Sequence, residues 1–540
     1  MKHRPAAAPR NAFVNALVML ALLCTFPITL RAQTSPAQAP MGRVVLVLPF
    51  ENRSGDPSLD WMGESFPATL NQRFTSAGFL TITRDDRLFA YDHLGLPLDF
   101  KPTHATTIRL AQTLDADFVV LGSFTTSNGR INAQAQLVHI DDLRLDPPLN
   151  DSAELERLLD LENSIAWKLA RQMDPTYSVA LQTFLAASSG LRLEAFEHYI
   201  RGLNDTSADD RLKHLQTAVQ LQSGYSSALL ALGKAQFEAQ KYDEAAATFS
   251  KFPADDALSL EAHFYLGLSD FYTVNYARAE AAFAFVASRL PLAEVINNQA
   301  VAASRQNKDA SALFLQATNT DPQDADYHFN LAVSLRRRRD FTGALREAEL
   351  ALKFHSSDTE ALQLQTTLQR EQAAGSSATL SAFSPLERIR RTYTEAGFRQ
   401  AAFQLDEVRA QRMANLPAAQ QAVQLTQLGA DYLAQGLILE AEREFQTAIA
   451  IDNHNAAAHA GLAAVRERSG SAEEARKQAG LSLQIKPNVA AYLVLARLDL
   501  QAGNLAVSAA SVSNALHLEP GNGPAIGMKQ ALEARGQQVP

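Results

Sequence analysis

Beyond residue 190 the chain repeats itself at intervals of 33 to 34 residues, and that period limits its folding options more than any other feature. Gly233 returns as Gly267, Ala245 as Ala279, Phe249 as Phe283, Ala310 as Ala344 and Ala441 as Ala475. Asn453 returns as Pro487, and Pro520 follows 33 residues later. Strand signals vanish over this stretch, so each interval reads as two antiparallel helices and a turn. One such hairpin cannot shield its own apolar side. Neighbouring hairpins therefore stack in series and leave one open trough. Glycine and alanine mark where two helices approach closely, a recurring aromatic fills the gap between units, and proline stops the second helix.

The spacing carries a family likeness. Leu428-Gly429, Tyr432, Ala441, Phe445 and Ala448 fall where the tetratricopeptide pattern expects them, and Asp321-Pro322, Lys486-Pro487 and Glu519-Pro520 close their units in the family's manner. The region thus resembles a tetratricopeptide repeat array. Full units are expected at about 225–256, 257–291, 325–358, 422–455, 456–488 and 489–522, with a weak first unit at 194–224 and a short one at 292–324. Thr359–Gln372 reads as a lone first helix. Gly375-Ser376-Ser377 marks a linker. Residues 385–416 read as degenerate helix through Leu386, Ile389, Tyr393, Ala396, Phe398, Ala402 and Leu405, and a polar-sided helix at 524–536 caps the end. The expectation is a first array at 194–372, a linker at 373–385 and a second array at 386–536, joined by a hinge.

The N-terminal part follows a different grammar. Arg43–Phe50 is a short run of branched apolar residues and reads as a buried strand. Helical spacing runs from Trp61 through Phe66 and Leu70 to Phe74, and Phe79–Thr83 reads as a strand. A helix is expected at Thr106–Leu114. Phe118–Thr125 and Ile131–His139 form a hairpin around Asn128-Gly129, and a helix is expected from about Ala153 to Met173. This is a small mixed α/β domain, placed at 42–175. Leu46–Asp56, Ala116–Phe124 and Ala133–Leu137 resemble, in order, three segments of the TolB N-terminal-like family. That likeness implies a compact α/β domain whose activity, where known, is binding. The expected fold class is therefore α+β multidomain: a small α/β domain followed by an all-α tetratricopeptide superhelical solenoid.

Lys2, Arg4 and Arg10 precede an apolar run, Phe13-Val14 and Ala16–Leu23, and small residues follow. Residues 1–32 read as a secretory signal cleaved near Ala32, with an uncleaved anchor as the alternative, and 33–41 as a Pro/Ala-rich linker. Both readings export the folded part to the periplasm or cell envelope. The single cysteine, Cys24, lies inside that run, which leaves no disulfide, thiol nucleophile or Cys-based metal site downstream. The formal net charge of −9 argues against a nucleic-acid partner.

The strongest charge run is Arg336-Arg337-Arg338-Arg339. It reads as a solvated helix end or as a clamp for a carboxylate, and consecutive residues fan around a helix, so at most two can face the groove. Asn298 and Asn330 share a position in adjacent first helices. In some peptide-binding members of the family that position helps hold the ligand backbone. Phe329, Val333, Thr426 and Leu433 complete the groove candidates. In the α/β domain the loop bearing Asn52, Ser54 and Asp56 leaves a strand end, and reads as a ligand loop or as a self-satisfied turn, the turn being favoured. Catalytic, metal and nucleotide signatures are missing, so neither an enzyme nor a cofactor is expected. The resulting expectation is an exported scaffold that binds other proteins or peptides in its concave groove. The alternative is a ligand-sensing α/β domain coupled to a tetratricopeptide relay.

Overall fold

A computed structural model describes residues 43–97, 103–375, 379–391, 411–413 and 415–540. The signal and linker readings at 1–41, and the helical reading around Tyr393, Ala396, Phe398, Ala402 and Leu405, lie outside those residues.

The N-terminal sheet comprises β1 (Val44–Val47), β2 (Glu51–Asn52), β3 (Leu80–Thr81), β4 (Phe118–Ser127), β5 (Arg130–His139) and β6 (Leu149–Glu154), in the order β3-β1-β4-β5-β6 with β2 beside β4. β1 runs parallel to β3 and β4, and β4–β5–β6 are antiparallel. Asn128 and Gly129 both take positive φ, 50° and 76°, which suits the twist of a two-residue hairpin. Four helices accompany the sheet: α1 (Trp61–Ser76), α2 (Arg84–His93), α3 (His104–Thr113) and α4 (Leu158–Met173). Side chains alternate along β1, so Val45 and Val47 join α1 and α4 in one core while Leu46 and Leu48 join Ala90, Tyr91 and Leu110 in another. The sheet is covered on both faces.

Two elements differ from the sequence expectation. β6 is a polar edge strand, Leu-Asn-Asp-Ser-Ala-Glu, held by its ladder to β5 and lacking the apolar alternation that marks a strand. The helix expected from Ala153 therefore begins only at Leu158. Helix α2 was not anticipated; Thr83 caps it by accepting from the Asp86 N–H at 3.1 Å. Pro67 sits inside α1, where it cannot donate to the Gly63 carbonyl. That carbonyl is taken instead by the Phe50 N–H at 2.9 Å, which ties the strand exit to the helix.

Glu162 of α4 is fully buried beneath α1. Ser65 donates to one of its oxygens and Thr69 to the other, the latter at 2.5 Å. Burial pushes its pKa up to about 7, against the pull of those hydrogen bonds and of Arg73. The Ser65 hydroxyl also lies 2.8 Å from the Met62 carbonyl. The unfolded chain releases the Glu162 proton near pH 4.5 and the native chain holds it to about 7. Between those values the native state binds more protons, so its stability falls as pH rises, by about 1.4 kcal/mol per pH unit from this group. Urea unfolding at pH 5, 6 and 7 should show that slope, and Glu162→Gln should flatten it. An unchanged slope in the variant would contradict the assignment.

The rest of the chain is helical: α5 (Leu181–Ala186), α6 (Leu193–Asn204), α7 (Ala208–Leu221), α8 (Ser226–Glu238), α9 (Tyr242–Phe249), α10 (Ser259–Tyr272), α11 (Tyr276–Ala287), α12 (Ala293–Arg305), α13 (Ser311–Thr320), α14 (Ala325–Arg337), α15 (Phe341–Phe354) and α16 (Thr359–Ala374), then α17 (Ala418–Ala434), α18 (Ile438–Ile451), α19 (Ala456–Arg468), α20 (Ala472–Ile485), α21 (Val489–Gln501), α22 (Leu505–Leu518) and α23 (Gly523–Glu533). Consecutive helices from α6 to α16, and again from α17 to α23, pack against one another. Ala245, Ala279, Ala344, Ala441 and Ala475 have no exposed surface. A Cβ on Gly267 would sit 2.7 Å from the Phe283 ring, so the helices meet closer there than any side chain allows.

The turns inside the helical pairs show a second pattern. In the second array they carry glycine at positive φ: Gly436, Gly470 and Gly503. In the first array the corresponding conformation falls on Gln240, Val274, Asn307 and Arg339. Val274 is the most strained of these, because a β-branched side chain at φ 65° crowds its own backbone, and it is exposed. Val274→Gly should relieve roughly 1–2 kcal/mol of strain against about 0.5–1 kcal/mol of added unfolded-state entropy. The expected result is a small rise in the urea midpoint; a fall would rule out strain at this turn.

Candidate peptide-binding groove

Residues 379–391 form neither helix nor strand. The helical reading from 385 to 391 is corrected here: with residues 379–384 that segment is an extended strap laid across the first helices of the first array. It runs from α16 back towards α10. Its start is fixed by Arg336, which pairs with Glu371 through two contacts of 2.8 and 2.7 Å and donates to the carbonyls of Ser381 and Phe383 at 3.2 and 2.7 Å. Glu371 in turn accepts from the Ser381 N–H at 2.8 Å. The Arg336 hydrogen bond holds the Glu371 carboxyl below its ordinary pKa.

Two asparagines then grip the backbone. Asn330 of α14 accepts from the Arg388 N–H and donates to the Arg388 carbonyl, both at 2.7 Å. Asn298 of α12 does the same to Arg390, both at 2.8 Å. Each amide side chain thus satisfies both polar groups of one strap residue, and the gripped residues alternate as an extended chain requires. Asn297 adds a donor to the Arg388 carbonyl at 3.0 Å, and its own oxygen accepts from Asn330 at 2.8 Å, which orients the cluster. All three asparagines are fully buried.

The strap side chains divide by parity. Glu387 is buried and is held by Ser304, Arg305 and Arg337. Ile389 packs against the apolar cluster that includes Ala300, Val301, Phe314 and Leu331. On the other side the Arg388 guanidinium lies 3.8 Å from the Phe329 ring centre and pairs with Asp358 at 2.6 Å, Asp326 at 2.8 Å and Glu360 at 2.9 Å. Arg390 pairs with Asp324, reaches Asp326 at 3.2 Å and lies 5.2 Å from the Tyr327 ring. Burial opposes the charge on Arg388, but its hydrogen bonds to Asp358, Asp326 and Glu360 outweigh it and raise the pKa. The Arg388 hydrogen bond likewise lowers that of Asp358. Asp324 and Asp358 are also the N-caps of α14 and α16, so the helix starts keep these carboxylates in place.

The structure therefore brings Asn298, Phe329, Asn330, Arg336 and Arg337 onto one segment. Val333 is buried in the cluster on which Phe383 packs. Arg338 turns to Ser311 at 2.7 Å, whereas Arg336 and Arg337 engage the strap. Thr426 and Leu433 belong instead to α17 of the second array. Thr426 donates to the Ala422 carbonyl and accepts from Asn455, and Leu433 is part-buried in that array's own core. The N-terminal loop is satisfied locally. Asn52 donates to the Asp56 carbonyl at 2.8 Å and to Asp60 at 2.7 Å, Asp56 accepts from the Ser58 N–H, and Ser54 accepts from the Thr126 N–H. Asn297, Ser304, Arg305, Asp324, Asp326, Asp358, Glu360 and Glu371 were not anticipated. Leu386 and Ile389 stand three apart, a helical spacing, so the apolar pattern does not disclose the strap; the available signal is Pro385, which disfavours helix at the residue before it.

Between residues 299 and 359, from within α12 to the start of α16, the helices carry both the small buried residues and the groove positions. Residues 299–359 match the tetratricopeptide repeat family model. Asn330, Arg336 and Arg337 lie within this tetratricopeptide match, and Asn298 is one residue outside it. No characterised protein sequence matches the chain. Solved structures that resemble parts of it include MamA from Desulfovibrio magneticus RS-1 (18% identity, TM-score 0.29, 32% of this chain and 99% of that one). Another is YrrB, a tetratricopeptide protein described as having an unusual peptide-binding site (15% identity, TM-score 0.28, 37% and 98%). A third is the LpoB C-terminal domain from Escherichia coli (22% identity, TM-score 0.19, 21% and 83%). Among the described residues, no group of three or more His, Cys, Asp or Glu side chains is placed to hold a metal ion, and no helix is long and apolar enough to cross a membrane.

Proposed function

We propose that the chain is an exported, non-enzymatic scaffold of the cell envelope whose tetratricopeptide helices form a superhelical solenoid, and that the first array receives an extended polypeptide segment in its groove. One observation carries this reading. Asn298 and Asn330 satisfy both backbone polar groups of alternate residues in an extended chain, a chemistry that recognises polypeptide as such and is independent of its side chains. Export rests on the basic residues and apolar run of the N-terminus, and the TolB N-terminal-like sheet supplies a second surface for assembly.

The test is a peptide library presented to the full chain with Arg388→Ala and Arg390→Ala, which weakens the strap and leaves the groove walls intact. Extended peptides should be captured, and adding Asn298→Ala and Asn330→Ala should abolish capture. No captured peptide, or capture indifferent to the asparagines, would defeat the reading. Cell fractionation should place the chain in the envelope or periplasm; recovery in the cytoplasm would defeat the address.

A further inference from the structure

We infer that the groove of the first array selects segments with the pattern acid–Arg–apolar–Arg, and that residues 387–390 are a resident competitor which an incoming segment of that chemistry displaces. This rests on the peptide-binding reading of the same groove and goes further by naming the ligand class and its regulation.

The asparagine grip accepts any backbone, so selection falls to the side-chain sites. The first is cationic. Arg305 and Arg337 converge with Ser304 on one buried carboxylate, and without it two guanidiniums face each other with no counter-charge between them. An acid at this position is therefore required. The second and third sites are anionic. Asp324, Asp326, Asp358 and Glu360 supply four carboxylates against the two guanidiniums of Arg388 and Arg390. The ring contact with Phe329 and the forked multi-carboxylate pairing suit a planar guanidinium better than an ammonium. Between the two arginines an apolar residue fills the site now holding Ile389. An empty groove keeps clustered like charges on both sides, which explains why the chain supplies its own occupant.

The occupant is suited to exchange. It contributes no helix or strand to the fold and is held by side-chain contacts that a second segment can reproduce. Being tethered, it competes at a high effective concentration, so an external segment binds with an apparent affinity reduced by the fraction of time the groove is open.

A fluorescent peptide of residues 383–391, Phe-Ser-Pro-Leu-Glu-Arg-Ile-Arg-Arg, supplies the test. Its anisotropy is titrated with the unaltered full chain and with the Arg388→Ala, Arg390→Ala chain. The altered chain should bind at least about tenfold more tightly, because its competitor is weakened. A scrambled peptide should fail, and a peptide with both central arginines replaced by lysine should bind more weakly. Equal affinity for the two chains overturns the competitor. If the altered chain captures library peptides without preference for this pattern, the specificity falls while the peptide-binding reading survives. If it captures nothing, both fall. An independent readout needs no substitution: with excess free peptide, amide exchange at residues 386–391 of the unaltered chain should accelerate. Unchanged exchange overturns displacement whatever the behaviour of the variant.

Discussion

Glu387→Ala should release the strap from the groove. The carboxylate is completely buried, and its partners Arg305 and Arg337 lie on adjacent first helices, so it ties two repeats together through charge. Removing one partner of a buried pair costs on the order of 3–5 kcal/mol when the other charge stays buried. Here it need not stay buried. Once the strap leaves, Arg305 regains water, and Arg337 is already 42% exposed along its side chain. The cost therefore falls on docking more than on global unfolding. Amide exchange at Arg388 and Arg390 should accelerate by roughly a hundredfold, equivalent to about 3 kcal/mol of lost local protection, while the urea midpoint moves little. Glu387→Gln keeps hydrogen-bonding capacity without charge and should fall between. Unaltered exchange in the alanine variant would show that the asparagines alone hold the strap.

Phe445→Ala should be the most damaging single change to global stability. Its ring is almost fully buried, and it fills a gap bounded by two glycines on different helices: a Cβ on Gly429 would lie 2.9 Å from it and one on Gly461 2.3 Å. Loss of a fully buried phenylalanine typically costs about 3–5 kcal/mol. The second array has no slack to absorb it, because the same helix, α18, also docks on the α/β domain. Leu439 enters that domain's core, Arg443 donates to the Ser76 carbonyl at 3.2 Å, and Glu442 accepts from Thr183 and from the Ala180 N–H while pairing with Arg466 at 2.7 Å. The expected result is a lowered urea midpoint together with faster exchange at residues 180–184. Gly461→Ala alone should also destabilise, by about 1–3 kcal/mol of overpacking. Combined with Phe445→Leu it should cost less than the sum of the two, because the smaller side chain leaves room for the methyl. Strict additivity would mean that the glycine and the ring do not share the space assigned to them.

Much of this molecule was legible before any coordinates. The 34-residue period, the buried alanines, the close glycine–phenylalanine contacts and the Asn128-Gly129 hairpin are local or short-range features, and their residue types have few other uses. Asn298, Asn330, Arg336 and Arg337 could be nominated because position within a repeat predicts which face of the first helix they occupy. Besides helix α2, three features escaped. β6 is polar because it is an edge strand, so its pairing leaves no hydrophobic pattern. The return of α18 onto the α/β domain depends on contacts between residues 367 positions apart, such as Arg443 with Ser76. The strap was misread as helix because Glu, Arg, Ile and Arg form helices readily when nothing else engages them.

What the chain's order of residues determined alone was therefore the repeating unit and the direction in which each unit shows its small, aromatic and polar side chains. What only the tertiary structure decided was the state of residues 379–391. Their extended form depends on amides and carboxylates contributed from as far as 92 positions upstream, and those partners become neighbours only when the stacked first helices bring them into one groove.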